Sequence, residues 1–149
     1  MNPRTASIVA TIALVVVVVA LYLRHELLAA YPVAVALQVA AVLLMVWARI
    51  TFGRRSFHAA ADPTAGGLVT SGPYRYWRHP IYSAILLFLW SGVLSHGLDL
   101  VAIALAVVGT VMTIVRVLSE ESLLRAEFSG SDGYDAYARR TKRFVPFVL

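Results

Sequence analysis

Thr5–Leu23 reads TASIVATIALVVVVVALYL, nineteen residues without a charge and with an unbroken valine run from Val15 to Val19. In water such a β-branched run favours a strand. In hydrocarbon a lone strand leaves its backbone N–H and C=O groups unpaired, whereas a helix satisfies them internally, so the stretch reads as a membrane-spanning helix. The length agrees, since about 20 apolar residues at 1.5 Å each cross a bilayer core. A cleaved signal peptide with Arg4 as its basic start is the rival reading of residues 1–30. The apolar run is long for such a leader, and Arg24-His25-Glu26 interrupts the approach to a cleavage site, so an anchor is expected.

Three further uncharged stretches follow at 27–48, 79–98 and 100–115. The last reaches spanning length by running from Leu98 to Leu118, which sets Arg116 in its final turn. Spans are therefore placed near 5–23, 29–50, 80–96 and 98–118, with a loop at 51–79 and a tail at 119–149. The whole chain of 149 residues is 60% hydrophobic and 14% charged, against about 45–50% and 25% in soluble domains. That balance excludes both a water-soluble globule and a disordered chain. The expected fold is an all-α integral membrane protein, a single domain of about four transmembrane helices with a cytoplasmic interfacial C-terminal segment. No cysteine is present, which excludes disulfides, thiolate catalysis and zinc–thiolate sites.

The charges fix an expected orientation. Four spans place the N-terminus, the 51–79 loop and the tail on one side, and that side carries Arg4, Arg49, Arg54, Arg55, Arg75, Arg78, Arg116, Arg125, Arg139, Arg140, Lys142 and Arg143. The other side carries Arg24 alone. Basic loops stay in the cytoplasm, so both termini are expected there, facing anionic lipid rather than nucleic acid. Ser95-His96-Gly97-Leu98-Asp99 is short enough to make the last two spans a tight antiparallel hairpin.

Polar chemistry gathers on the basic side. Gly72-Pro73-Tyr74-Arg75-Tyr76-Trp77-Arg78-His79-Pro80-Ile81-Tyr82 places Pro80 in the first turn of the third span, with Arg78 and His79 at the positive end of a helix, an anion-binding position. The plainer reading is an interfacial belt of aromatic residues with snorkelling arginines. A second cluster, Arg116-Val117-Leu118-Ser119-Glu120-Glu121, sets Arg116 and Glu120 on one helix face. A salt bridge at a helix end is the plainer reading there, but charge at a span boundary is costly unless it faces protein or a wet cavity. The hairpin brings His79 and Tyr82 near Arg116 and Glu120. His25 and His96 are expected to be solvated on the outer side, and His58 has no assigned role; no histidine has metal-ligand spacing, so no metal is expected.

Leu68-Val69-Thr70-Ser71-Gly72-Pro73-Tyr74 and Arg78-His79-Pro80-Ile81-Tyr82 resemble the isoprenylcysteine carboxyl methyltransferase family, part of a wider group with the phospholipid N-methyltransferases. Arg116, Glu120-Glu121, Leu124, Phe128, Tyr134, Tyr137 and Pro146 resemble its C-terminal pattern, and Trp47-Ala48 and Gly53 the segment before the loop, so the likeness covers roughly residues 45–149. It implies a membrane methyltransferase using S-adenosyl-L-methionine. By the same resemblance Gly67, Leu68, Val69, Tyr74, His79, Pro80, Ile81, Tyr82 and Glu120 contact the cofactor. Arg116 positions the substrate, and Arg116 and Glu120 form the catalytic pair. Two departures stand out. The Phe128–Tyr134 segment is two residues longer than the family's, and Ala59-Ala60-Ala61 replaces polar residues before the loop glycines.

The chemistry stands beside the likeness. A helix start can hold the cofactor's carboxylate, an acid can meet its amino or sulfonium group, and tyrosines can cover adenine. Methyl transfer is an in-line displacement, so orientation is the protein's main task. The expected partners are the membrane and a lipid or isoprenoid acceptor, foremost an isoprenoid-type carboxylate. A phospholipid amine and an NADPH-dependent reduction of the sterol-reductase type are the alternatives, with a non-enzymatic membrane subunit the last.

Overall fold

The computed structural model describes residues 2–53, 68–130 and 133–144. Among them the fold is all-helical: α1 (Pro3–Leu23), α2 (Pro32–Phe52), α3 (Pro80–Ser95), α4 (Leu100–Glu127) and a short α5 (Tyr134–Arg140). Proline stands in the first turn of α1, α2 and α3, where its missing N–H breaks no helical bond. Asp99 caps α4, its carboxylate accepting the Ala102 N–H at 2.8 Å. Three helices, α1, α2 and α4, are long and apolar enough to cross a membrane, and α3 is a shorter apolar helix. The chain is thus a multi-pass membrane protein, as its composition requires.

Two boundaries differ from the expected spans. The second span starts at Pro32 rather than near residue 29, because the backbone before it bonds to side chains of α2 and α3 instead of entering the helix. The Ala29 N–H donates to Gln38 Oε1, and the Ala30 N–H donates to Ser95 Oγ. His96 is exposed, as expected, and its Nε2 also lies 2.7 Å from the Leu28 carbonyl oxygen. The fourth helix does not stop at Leu118 but continues unbroken to Glu127, so at 1.5 Å per residue it rises about 42 Å and overshoots a ~30 Å core by two turns.

The helices pair as α1 with α4 and α2 with α3, and these contacts outweigh those within the α3–α4 hairpin. Small residues permit the close approach: Ala10, Ala41, Ala48, Ala84, Ala102 and Ala106 are all buried. Val17, Leu21, Leu89, Val93, Ala102 and Ala106 join α1, α3 and α4 in an apolar cluster toward the 96–99 turn. At that end Arg24 binds Asp99 at 3.1 Å, tying α1 to the start of α4. At the opposite end lie the start of α1, residues 68–79, the end of α4 and α5. With only 16 residues α3 rises about 24 Å. Its Ser95 end is tied down by the Ala30–Ser95 and Leu28–His96 bonds, so the shortfall falls at the other end. His79 and Tyr82 are thereby set about one to two turns below the first turn of α1.

Candidate active site

The start of α3 holds two polar systems back to back. The first is centred on Glu121, which is fully buried. Arg143 grips it with two bonds, Nε to Oε1 at 3.1 Å and Nη2 to Oε2 at 2.9 Å. Arg78 Nε donates to Oε1 at 3.3 Å, His79 Nε2 lies 3.3 Å from the same oxygen, and Arg125 Nη2 reaches Oε2 at 3.4 Å. A buried carboxylate is tolerable only with such pairing. The anion found at the positive end of α3 is therefore the chain's own Glu121, where the sequence suggested a cofactor carboxylate.

The same system secures the tail. Arg78 Nη1 donates to the Ala138 carbonyl at 2.7 Å and to the Thr141 carbonyl. The backbone runs alongside: Trp77 and Lys142 form a parallel bridge, with the Arg78 N–H to Lys142 O at 2.7 Å and the His79 N–H to Arg143 O at 3.0 Å. Ser83 Oγ donates to the Phe144 carbonyl at 2.6 Å. The longer Phe128–Tyr134 segment is closed at its base by the Tyr134 N–H on the Phe128 carbonyl.

The second system is a chain of hydrogen bonds among three helices. Arg116 Nε donates to the Tyr82 hydroxyl at 2.7 Å, and that hydroxyl donates to Glu120 Oε2 at 2.9 Å. Arg116 also lies 5.9 Å over the Tyr82 ring. From α1, Ser7 Oγ accepts from Arg116 Nη1 at 3.1 Å, and Thr11 Oγ1 accepts from the same nitrogen. The hairpin reading placed His79 and Tyr82 beside Arg116 and Glu120; the tyrosine links that pair, while His79 meets the neighbouring Glu121. Ser7, Thr11 and the anchoring work of Glu121 escaped the sequence reading. Two hydroxyls one helical turn apart on an apolar helix were the available signal, since polar groups in a span turn toward protein.

The remaining expected residues border this centre. Leu68 and Val69 are half-buried, and residues 68–71 separate two clefts. One, of about 560 Å³, is lined by Leu68, Thr70, Arg75, Tyr137, Arg140 and Thr141. The other, of about 540 Å³, lies against Thr51, Phe52 and Gly53. Both are in the size range of small-molecule sites. Tyr74 is buried, its ring lies tilted at 5.4 Å from that of Phe52, and its carbonyl accepts a hydrogen bond from the Tyr137 hydroxyl at 2.7 Å. Burial holds both phenols protonated beyond their ordinary range, with the Glu120 charge adding to the effect at Tyr74. Pro80 is buried in the first turn of α3 and Ile81 half-buried behind it. Gly67, His58, Ala59-Ala60-Ala61 and Pro146 lie outside the described residues. Among the described residues no three His, Cys, Asp or Glu side chains gather as a metal site.

The sequence profile of the phospholipid methyltransferase family matches residues 29–131. The nickel-cobalt-cadmium resistance protein NccN of Alcaligenes xylosoxydans xylosoxydans is 38% identical over 80 residues, which are 53% of this chain and 36% of that protein. The chain thus matches about a third of that relative's length. No solved structure matches the chain.

Proposed function

Because this chain belongs to the phospholipid methyltransferase family, a family of membrane methyltransferases, we propose that it moves a methyl group from S-adenosyl-L-methionine to a lipophilic acceptor, foremost an isoprenoid-type carboxylate. The observation that carries this reading is the Arg116–Tyr82–Glu120 chain at the junction of α1, α3 and α4. It joins a cation that lies among the spans to an acid one turn nearer the clefts.

The residues present suit the donor. Arg75 and Arg140 line the larger cleft and can hold a carboxylate, Tyr137 offers a ring face, and Glu120 stands one hydrogen bond from Tyr82. Leu68, Val69 and Tyr74 border the same region, while His79 and Pro80 act through the placement of the α3 start. The bound donor supplies a methyl group already activated on a sulfonium. What the chain contributes is orientation. Arg116 places a fixed positive charge that can attract an acid group, and Tyr82 fixes the guanidinium relative to Glu120. A carboxylate acceptor is ionised at neutral pH, so no proton need move.

A phospholipid amine is the second reading, favoured by the family's own description. Arg116 would then meet phosphate, and Glu120 would take the proton that an ammonium must lose before it can attack. That relative's name concerns metal resistance; methyl transfer is the reading argued from this chain's residues.

Purified protein in mixed micelles, given methyl-labelled S-adenosylmethionine, should label a farnesyl-cysteine carboxylate in preference to phosphatidylethanolamine. Reversed preference would select the amine reading, and binding of NADPH without S-adenosylmethionine would overturn both. Tyr82→Phe should lower turnover at least tenfold in folded protein; full activity would remove the hydrogen-bond chain from the site.

A further inference from the structure

The hydroxyls of α1 belong to no part of the family match, which begins at residue 29, yet they touch the arginine at the centre of the candidate site. We propose that Ser7 and Thr11 are positioning residues: they aim the Arg116 guanidinium at the acid group of the acceptor, which makes α1 one wall of the acceptor site. The proposal rests on the reading of Arg116 as the acceptor's anchor.

Three observations converge on it. Ser7 is fully buried and lies one turn from Thr11, so both face α4. Their oxygens and the Tyr82 hydroxyl receive protons from different nitrogens of Arg116: Nη1 serves α1, and Nε serves α3. The guanidinium is planar and rigid, so acceptors at Nη1 and Nε on two different helices fix its position and restrict its rotation. Lastly, the packing between these helices changes character along its length. Toward the 96–99 turn it is made of Val17, Leu21, Leu89, Val93, Ala102 and Ala106, and toward the other end of Ser7, Thr11, Tyr82 and Arg116.

The chemistry of the α1 partners matters. Hydroxyl oxygens accept a hydrogen bond yet carry no charge, so they orient the cation without neutralising it. An acid in either position would compete directly with an anionic acceptor. Thr11 is further prepared for the task because its hydroxyl donates to the Ser7 carbonyl at 2.7 Å, which turns the oxygen's lone pairs outward from α1. An acceptor seated on Arg116 therefore lies against α1 as well as α3 and α4, and its lipid tail has the apolar flank of α1 beside it.

The test compares Thr11→Val, which removes the hydroxyl at nearly constant shape, with Thr11→Ser, which keeps it. Arg116→Lys is measured in parallel, using the farnesyl-cysteine carboxylate and phosphatidylethanolamine as acceptors. Thr11→Val should raise the acceptor KM about five- to tenfold, the loss of one hydrogen bond to a charged group. Its affinity for S-adenosylmethionine and its melting temperature should stay unchanged, and Thr11→Ser should recover the wild-type KM. Should Thr11→Val keep the wild-type KM while Arg116→Lys raises it, the role of α1 is overturned and the reading of Arg116 survives. A fall in stability and cofactor affinity together, not rescued by Thr11→Ser, makes the hydroxyl merely structural and overturns the proposal. An unaltered KM in Arg116→Lys, or no turnover of either acceptor by the wild type, takes down the reading of Arg116 and the proposal with it.

Discussion

Two adjacent acids on one helix have separated tasks. Glu121 is enclosed by Arg78, His79, Arg125 and Arg143, whereas Glu120, half-buried, accepts a hydrogen bond from Tyr82 alone among the described residues. Glu121→Gln leaves clustered cations without their anion and should cost about 3 kcal/mol or more, read as a large drop in melting temperature in detergent. Glu120→Gln should melt close to wild type yet turn over slowly; equal destabilisation of the two variants would refute the division. The buried phenols of Tyr74 and Tyr137 make a second prediction. With folded-state pKa values raised above the usual 10, they contribute stability that is complete below pH 10 and is lost as pH rises beyond it. Tyrosinate absorbance should therefore appear together with unfolding, and smooth titration of all tyrosines at pH 10 in folded protein would contradict it. Much of this centre was legible: a short turn between apolar runs is enough to bring Tyr82 beside Arg116 and Glu120. The opposed uses of two neighbouring glutamates were not, because burial is set by the tail that folds over one of them.

At the scale of elements, apolar length and proline position revealed where α1 and α3 begin, to within two residues. The start of α2 and the end of α4 were less legible, since neither is decided by local sequence. Gln38 reaches out of α2 to donate to the Leu27 and Phe88 carbonyls, drawing the preceding loop onto α3. Gly92 makes that approach possible: a Cβ there would stand 2.0 Å from the Leu27 carbonyl oxygen. Gly92→Ala should cost about 2 kcal/mol through overpacking against backbone that cannot yield. Gly109→Ala, whose Cβ would meet the side chains of Leu89 and Val17 at 3.3 Å and Leu14 at 3.6 Å, should cost less. Thermal melts of both variants decide the matter, and equal losses would contradict the backbone argument. Helix pairing also stayed hidden. Periodicity shows that each helix has a buried face but not that α1 chooses α4, a choice made by Ser7, Ala10, Ala106 and Arg116 across the whole chain.

For the whole molecule, the structure collects the start of α1, the 68–79 segment and α5 at one end and the 24–31 and 96–99 turns at the other. We propose that the first end is cytoplasmic, on the strength of its arginines. Reporter fusions within Ser95–Asp99 should read as external, and a cytoplasmic reading would invert the topology. The pairing of α1 with α4 bears also on biogenesis. During synthesis α1 enters the bilayer long before α4 has left the ribosome, carrying Ser7 and Thr11 into lipid with their guanidinium still untranslated. The Thr11 bond to the Ser7 carbonyl lets the helix satisfy that hydroxyl by itself in the interval. Arg116, made later than α1, meets hydroxyl acceptors that the earlier helix already carries.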